Sequence, residues 1–382
     1  MVAIAVSGSI AQRPGRPGHA WVFLSYLLGF QSLGYEVLFI DRLSTEMIEG
    51  SSRGGSLRSS AEARWLSATM RDAGLGDSYS LLLGKGEGTV GMPRHELLDR
   101  LRRSVLLLNV NGFLADQELL EAAQKRAYLD IDPGFAQMWE ETGLAVLPDG
   151  HDAFVTVGLN LGKESCGVPT VGRNWVTTVP PVVLDSWPAS RGGEAFTSIG
   201  SWRGPFDPVA HGGRSYGLRA HELRRFAELP QLVDAPFELA LDIDPGDHRD
   251  AELLRDNSWR LADPLEVAGE PTAYRRYIQG SLAEIAIPKS MYVETKSGWF
   301  SDRSACYLAS GRPVLALDTG FATSLPTGEG LLRFGDLDEA VRGGEEICAD
   351  PDRHSKAARA IAEEHFEAGK VLTALLERLE VG

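Results

Sequence analysis

A helix followed directly by a buried-type strand dominates the segment from Ser297 to Phe321 and limits the folds open to this chain. Ser301 is a suitable N-cap, because its hydroxyl can accept a hydrogen bond from a free backbone N–H of the first turn. Gly311 can adopt the left-handed conformation that ends a helix, and Pro313 stops the helix from continuing. A loop that delivers a helix N-terminus to the carboxyl edge of a sheet presents free amides and a positive dipole end. The segment therefore predicts an α/β fold with a site suited to a phosphate.

Strands and helices also alternate through the first half of the chain. Val2–Val6 and Glu36–Asp41 have the composition of buried strands, and the apolar stretch Ala20–Leu33 between them predicts a helix. Together they form a βαβ unit, whose crossover should be right-handed. Further strands are expected at 105–110, 126–131, 153–157 and 168–171, and helices at 61–73 and 117–125. This order predicts a doubly wound sheet.

Prolines and glycines between Trp175 and Gly193 predict a linker, after which the pattern restarts. Strands are expected at 195–199, 237–243, 259–261, 283–287, 314–317 and 330–334, and helices at 215–227, 272–280, after Ser301, at 337–349 and at 355–380. A chain of 382 residues is too long for one ordinary core. We therefore expect two α/β domains, residues 1–178 and residues 179–382, with the long terminal helix closing the second.

The composition excludes some classes of partner. A formal charge of −15 argues against nucleic acid, which needs clustered Lys and Arg, but leaves room for a small phosphate ligand. Three dispersed cysteines, Cys166, Cys306 and Cys348, indicate reduced intracellular thiols. The N-terminus lacks a basic region before its short apolar run, and no stretch is long enough to cross a bilayer. The sequence thus favours a cytoplasmic protein without a transmembrane segment.

The pattern of the second half resembles that of the GT-B-type glycosyltransferases. The segment Gly298-Trp-Phe-Ser-Asp-Arg303, followed by Tyr307-Leu-Ala-Ser-Gly-Arg-Pro-Val314, is similar to the donor-phosphate region of bacterial enzymes of the retaining kind. The resemblance extends from about residue 195 to the C-terminus and is only architectural before Trp175. It implies two Rossmann-like domains that face a central cleft, with a nucleotide-sugar bound by the second domain, an acceptor bound by the first, and sugar transfer between them.

One departure from the resembled pattern bears on activity. Retaining enzymes place two acids seven residues apart before the Gly-x-Pro-Val turn, whereas Gly298 and Cys306 stand near those positions here. The available acids are Glu294 and Asp302. A glycosyltransferase is the main interpretation, and two alternatives stay open: a nucleotide- or sugar-binding relative without catalysis, and a nucleotide-sugar epimerase.

The resemblance implies a donor site made of cations and of the loop before the helix. Its predicted members are Arg203, Arg260, Lys289, Gly298, Trp299, Phe300, Ser301, Asp302 and Arg303. Arg203 and Lys289 follow buried strands, where they could bind a diphosphate, although each could equally be a surface side chain. Arg303 could bind the same anion or pair with Asp302. Trp259 and Arg260 stand where such folds hold the base, and a core tryptophan is equally compatible with the sequence.

Residues of the first half are candidates for the acceptor side. His19 stands at the start of a helix, where some inverting GT-B enzymes use a histidine as general base, although a histidine with no catalytic role also fits there. Asp132 is the second catalytic candidate, and Asp130 could hold the acceptor. Gly8 and Gly18 would permit close approach of the backbone. No cofactor or metal is expected, since the histidines do not pair with carboxylates at ligand spacing, and a homodimer stays open.

Overall fold

The computed structural model describes residues 2–47, 56–84, 88–204 and 206–381. Within them the chain forms two halves, each built on a twisted sheet of largely parallel strands. The elements of the first half are β1 (Ala3–Ser7), α1 (Pro17–Ser32), β2 (Glu36–Leu43), α2 (Ala61–Asp72), β3 (Tyr79–Leu83), β4 (Gly88–Gly91), α3 (Arg94–Leu101), β5 (Ser104–Val110), α4 (Gln117–Ala122), β6 (Arg126–Asp130), α5 (Phe135–Glu141), β7 (Ala153–Thr156) and β8 (Trp175–Thr177).

The first sheet has eight strands in the order β4-β3-β2-β1-β5-β6-β7-β8. All adjacent pairs are parallel except β3 and β4, which are antiparallel at one edge. The residues of β1 are buried throughout, as expected for a parallel strand covered by helices on both faces. The carboxyl ends of the parallel strands therefore lie along one edge of this half.

The second half has its own sheet and a longer set of helices. Its elements are β9 (Phe196–Ser201), β10 (Val209–His211), β11 (Arg214–Tyr216), α6 (Arg219–Arg225), α7 (Leu229–Leu232), β12 (Phe237–Asp242), α8 (His248–Asp256), β13 (Trp259–Ala262), α9 (Pro264–Ala268), α10 (Pro271–Gln279), β14 (Ala283–Ala286), α11 (Ser290–Glu294), α12 (Asp302–Ala309), β15 (Val314–Leu317), β16 (Leu331–Phe334), α13 (Leu337–Ala349), α14 (Pro351–Ile361) and α15 (Ala368–Arg378).

The second sheet has six parallel strands in the order β13-β12-β9-β14-β15-β16. Numbered within this half, that order is 3-2-1-4-5-6, the Rossmann arrangement, in which ligands bind where the strand order reverses. A separate hairpin of β10 and β11 follows β9. The prediction of two doubly wound Rossmann-like halves is confirmed.

Three local predictions are wrong. The expected strand at 168–171 is a loop in which Val171 has a φ of 47°. The helix expected at 215–227 begins only at Arg219, because its first residues belong to the β10–β11 hairpin, whose turn is made by Gly212 and Gly213 at positive φ. The single terminal helix is interrupted at Glu367, which has an extended ψ of 125°.

The chain passes between the halves twice, and the two passages lie side by side. The amide of Val182 donates to the carbonyl of Phe366 at 2.8 Å, and the amide of Ala368 donates to the carbonyl of Val182 at 3.0 Å. After this second passage α15 packs against α1 of the first half. The C-terminal helix α15 thus packs back against α1 of the first half. Among the described residues, no helix is both long and apolar enough to cross a membrane.

Candidate functional site

A cavity of about 550 Å³ lies between the two halves. Its wall includes residues that follow β1, β5, β6 and β7 of the first sheet, and the ends of β9 and β12 of the second. The carboxyl edges of both sheets therefore face the same cleft, where ligands of open α/β sheets bind. The volume is in the range of sites for small ligands and cofactors.

The loop after β1 is fixed by a buried carboxylate. The amide of Ala11 donates to Oδ2 of Asp41 at 2.7 Å. Burial raises the pKa of Asp41 to about 7, although the backbone amides of Ala11 and Arg42 act in the opposite direction. The amide of Gly8 donates to the carbonyl of Ile40 at 2.9 Å. These bonds hold the loop in one arrangement over the end of the sheet.

The two predicted glycines of the first half have different surroundings. A Cβ on Gly8 would lie 2.5 Å from the ring of Phe23, and Gly8 does not line the cavity, so its lack of a side chain serves packing against α1. The prediction that Gly8 approaches a ligand is corrected on this ground. Gly18 does line the cavity, and a Cβ there would lie 3.0 Å from the hydroxyl of Tyr274 in the second half.

His19 lies in the cavity wall at the first turn of α1. Its Nε2 is 2.9 Å from the Ser9 hydroxyl and 3.2 Å from the Ser9 carbonyl oxygen. Burial lowers the pKa of His19 to about 4, with a further contribution from the charge of Arg13. The imidazole is therefore neutral at pH 7. Donation from Nε2 to the Ser9 carbonyl leaves Nδ1 as an acceptor, and Nδ1 has no hydrogen-bond partner within the described part of the chain.

Asp132 also lines the cavity, but its carboxylate already binds two groups of the second half. Nζ of Lys289 donates to Oδ1 at 3.0 Å, and the hydroxyl of Tyr292 donates to the same oxygen at 2.5 Å. Burial alone would raise the pKa of Asp132, yet Lys289 and Tyr292 more than offset it and hold that pKa below its ordinary value. Lys289 and Asp132 thus link the halves at one side of the cleft.

Asp130 is buried in the first half and does not reach the cavity. Its carboxylate accepts hydrogen bonds from Gln137 at 2.7 Å and Thr156 at 2.9 Å, and from the amide of Asp132 at 3.0 Å. Burial raises its pKa to about 6. The expectation that Asp130 contacts an acceptor is corrected, because these bonds use it to position the turn that carries Asp132.

The loop before α12 is bonded within the second half and lies against the first half more tightly than the sequence suggested. The amide of Gly298 donates to the carbonyl of Thr319 at 2.8 Å, and the amide of Trp299 donates to the hydroxyl of Ser297 at 3.3 Å. A Cβ on Gly298, whose φ is 75°, would lie 2.9 Å from the backbone nitrogen of Asn160. These two amides are therefore used within the protein, and Gly298 does not line the cavity.

The remaining residues of this loop divide between support and cavity wall. Ser301 stands at the N-cap position as predicted, but its hydroxyl makes no capping bond to the described first turn, and the residue does not line the main cavity. The side chain of Trp299 stacks on Tyr292, with ring centroids 4.4 Å apart. Trp299, Phe300, Asp302 and Arg303 line the cavity. The start of α12 thus reaches the cleft through side chains.

Three of the four predicted donor cations are paired with carboxylates of the protein. Arg203 binds Asp247 through two nitrogens, one of them Nε at 2.8 Å, and Nε of Arg303 lies 2.6 Å from Oε1 of Glu284. Arg260 is exposed on the edge strand β13. Of the predicted cations, only Arg303 lines the cavity. The prediction that Arg203, Lys289 and Arg260 belong to the donor site is corrected, because none of them lines the cavity. Arg203 and Lys289 bind carboxylates instead.

Two arginines that sequence reasoning missed lie at the cavity entrance. Arg16 donates to Oδ2 of Asp242 across the cleft at 2.6 Å. Arg13 is exposed, and its guanidinium makes no hydrogen bond or ion pair with another described residue. Both belong to the Gln-Arg-Pro-Gly-Arg-Pro-Gly run after β1, whose alternating cations and turn residues were the available signal.

The second half also resolves the sequence interpretation of Trp259. Trp259 is a core residue, 3% exposed, and its indole N–H donates to the carbonyl of Ala227. It therefore does not offer a face for base stacking. The side chain of Asp244 accepts a hydrogen bond from the amide of Gly246 at 2.7 Å, which forms an Asx-type turn after β12. Among the described residues no group of three or more His, Cys, Asp or Glu is arranged to hold a metal ion.

Buried residues form the inner wall of the cavity. Tyr26 and Tyr274 are 1% and 3% exposed, and Phe300 and Ala268 are similarly buried. The hydroxyl of Tyr26 has no hydrogen-bond partner within the described residues. Asp302 of α12 lines the same cavity, and burial raises its pKa to about 6, although Arg303 lowers it. Sequence reasoning missed Tyr26, since it lies in an almost uniformly apolar helix that gave no signal of a polar role.

No protein-family model matches the chain, and no curated sequence matches it. Solved structures do match. HepE of Anabaena, in complex with UDP-glucose, superposes over 100% of both chains with a TM-score of 0.59 at 10% identity. AviGT4, a glycosyltransferase involved in avilamycin A biosynthesis, superposes over 100% of this chain and 97% of its own with a TM-score of 0.56 at 12% identity. An alpha-glucosyltransferase in complex with UDP gives 0.58 at 8% identity, with 100% of both chains covered. The predicted GT-B-like fold is therefore confirmed.

Proposed function

We propose that this chain is a glycosyltransferase that moves a sugar from a nucleotide-sugar to an acceptor hydroxyl in the interdomain cleft. One observation carries the proposal: a cavity of about 550 Å³ lies where the carboxyl edges of two Rossmann-like sheets meet, and both halves supply its wall. The structures that share this fold include a complex with UDP-glucose, which supports the choice of ligand class. We further propose that residues 1–178 supply most of the acceptor site and residues 179–382 most of the nucleotide-sugar site, with both halves contacting the donor in the cleft.

The departing nucleoside diphosphate must be neutralised as its bond to the anomeric carbon breaks. Arg13 suits this role, because it lines the cavity entrance and has no carboxylate partner within the described residues. Arg16 stands beside it, and its exposed pair with Asp242 can be exchanged for a ligand anion at little cost. We assign the neutralisation to these arginines, without a protein-bound metal ion or cofactor.

The acceptor hydroxyl loses a proton as its oxygen bonds to the anomeric carbon. His19 can take that proton at Nδ1, because Nε2–H donates to the carbonyl of Ser9 and the ring is neutral at pH 7. The hydrogen bond that Nε2 donates to the Ser9 carbonyl fixes the ring orientation, as a carbonyl does for other catalytic histidines. Asp132 holds Lys289 and Tyr292 and is assigned to joining the halves.

The three free cysteines support a reducing, cytoplasmic location.

The experiment is a donor panel. The purified chain is incubated with UDP-, GDP-, ADP- and dTDP-glucose, with and without sugar and phenol acceptors, and release of nucleoside diphosphate is followed together with product mass. Acceptor-dependent release supports the proposal. Tight binding without any release supports a binding protein instead, and a change of sugar configuration without acceptor supports an epimerase. Either of these results would reject sugar transfer.

A further inference from the structure

The Tyr26 hydroxyl is a buried polar group whose partner is missing from the protein itself. Tyr26 lines the cavity, is 1% exposed, and its hydroxyl finds no hydrogen-bond partner among the described residues. A buried hydroxyl without a partner has lost its hydrogen bonds to water and gained none in return. Such groups in native structures call for an explanation, and a cavity wall is where a ligand can supply the missing bond.

A carboxylate from the other half lines the same cavity as Tyr26. Asp302 is the first residue of α12 and lines the same cavity. Burial raises the pKa of Tyr26, and the charge of Asp302 raises it further. Asp302 makes no side-chain hydrogen bond to another described residue. Because its pKa is about 6, Asp302 is ionised at pH 7 and can accept a hydrogen bond.

We propose that Tyr26 and Asp302 form a binding site for one hydroxyl group of the donor sugar, with Tyr26 donating a hydrogen bond to that oxygen and Asp302 accepting a hydrogen bond from its O–H. This assignment rests on the proposed sugar transfer and adds the orientation of the donor. The sugar lies against the inner wall, since the Asp302 carboxylate repels phosphate. The diphosphate lies toward the entrance, where Arg13 is exposed.

The pairing has a structural consequence for specificity. One hydroxyl is read from both halves of the protein, Tyr26 from α1 of the first and Asp302 from α12 of the second. A sugar that lacks this hydroxyl would leave both buried polar groups without a partner, which discriminates more strongly than the loss of an apolar contact. The cleft therefore selects a sugar with a hydroxyl group at this position and disfavours the deoxy analogue.

Calorimetry with UDP and UDP-glucose separates the sugar contact from the nucleotide contact. If the wild type binds GDP-, ADP- or dTDP-glucose more tightly than UDP-glucose, that nucleotide-sugar and the corresponding nucleoside diphosphate are used instead. Tyr26→Phe should weaken binding of the nucleotide-sugar about three- to tenfold, and Asp302→Asn about 10- to 100-fold, with the diphosphate unaffected. The double variant should lose less than the product of the two, because both groups bind one hydroxyl. Tyr35→Phe, a tyrosine of the same half outside the cavity wall, is the matched control.

The outcomes separate this inference from the proposed function. A wild type that transfers sugar, together with a Tyr26→Phe variant whose nucleotide-sugar and diphosphate affinities stay in the wild-type ratio, would overturn the inference and leave the function standing. A wild type that binds no nucleotide-sugar of the panel would overturn both. Thermal unfolding of Tyr26→Phe is measured in parallel: a change in melting temperature with an unchanged affinity ratio assigns the hydroxyl to stability and also overturns the inference.

Discussion

Oδ1 of Asp132 in the first half lies 3.0 Å from Nζ of Lys289 in the second. The ammonium is also held above the rings of Phe135, Phe206 and Tyr292, at 4.8, 5.2 and 5.4 Å from their centroids. The side chains of Asp132 and Lys289 are 27% and 17% exposed, respectively, so the ion pair is largely shielded from water. This ion pair joins the two halves at residues that are distant in sequence from Val182 and Glu367, where the chain passes between the halves.

Lys289→Met should therefore destabilise the protein. It leaves the Asp132 carboxylate without its cation in a shielded place, at an expected cost of about 2 kcal/mol in the free energy of unfolding. Urea denaturation measures the cost. The double variant Asp132→Asn/Lys289→Met should recover part of it, since no uncompensated charge remains. A single variant as stable as the wild type would contradict the assigned link.

Arg13→Ala should weaken binding of a nucleoside diphosphate by about 1–2 kcal/mol, roughly 5- to 30-fold. Arg203→Ala is the matched control, because Arg203 is also an exposed arginine after a strand but is occupied by Asp247 and lies outside the cavity wall. Titration calorimetry with UDP at low and high salt measures both. A larger loss in the Arg203 variant would restore the sequence-based assignment and reject Arg13.

His19→Gln should lower turnover about 100- to 10,000-fold while leaving nucleotide affinity unchanged, as expected for a residue that takes a proton in the transition state. A base acts only when it is unprotonated, and His19 has a pKa of about 4. Protonation of His19 should therefore lower the kcat/KM of the wild type only below about pH 5. Arg13→Ala removes a positive charge that lowers this pKa, so the acid limb should move to higher pH. Turnover equal to wild type in His19→Gln would exclude a base role.

The Asp41 carboxyl predicts a specific pH dependence of stability. Its pKa rises from 3.8 to about 7 on folding, so between these values the folded state holds a proton that the unfolded state has lost. Stability from this group is present at low pH and is lost as pH rises toward 7. The unfolding free energy of Asp41→Asn relative to wild type should rise by up to about 4 kcal/mol between pH 4 and pH 7.5 and then level off. A difference that is constant across this range would contradict the raised pKa.

Gly298→Ala tests the contact that closes the loop before α12. A side chain at a φ of 75° is strained, and its Cβ would also lie 2.9 Å from the Asn160 nitrogen. Gly143→Ala is the control, because Gly143 has a φ of 74° and nothing within 4 Å of the added Cβ. We expect a loss of about 1–2 kcal/mol in the control and about 2–4 kcal/mol for Gly298→Ala. Equal losses in urea denaturation would show that the Asn160 contact has no energetic role.

Strong local signals explain which elements the sequence could predict. β15 at Val314–Leu317 and α13 at Leu337–Ala349 match their predicted bounds, since Pro313 and Asp336 mark their starts. The helix expected from residue 215 was misplaced, because a weakly hydrophobic hairpin has no periodic pattern that separates it from a helix end. The interruption at Glu367 was also hidden, since it depends on pairing with Val182, which is far away in sequence.

Part of the loop named from the sequence lines the cavity, but the carboxylate partners of the named cations were not foreseen. The sequence places Arg303 at the start of a helix, but its partner Glu284 lies on another strand and becomes visible only when the sheet is assembled. The same holds for Arg203 with Asp247 and for Lys289 with Asp132. Whether a cation can bind a ligand depends on whether it already forms an ion pair with a carboxylate, and that is determined by tertiary contacts. Spacing along the chain carries no information on that point.

The paired chain passages at Val182 and Glu367 have a consequence for motion. Two segments that are hydrogen-bonded side by side bend together but resist twisting, whereas a lone linker would allow both. Opening and closing of the cleft should thus proceed as a hinge rotation of the two halves about one axis near Val182 and Glu367. Each cycle would bring α1 and α12 to the same mutual orientation, which gives the protein a reproducible geometry for whatever it encloses.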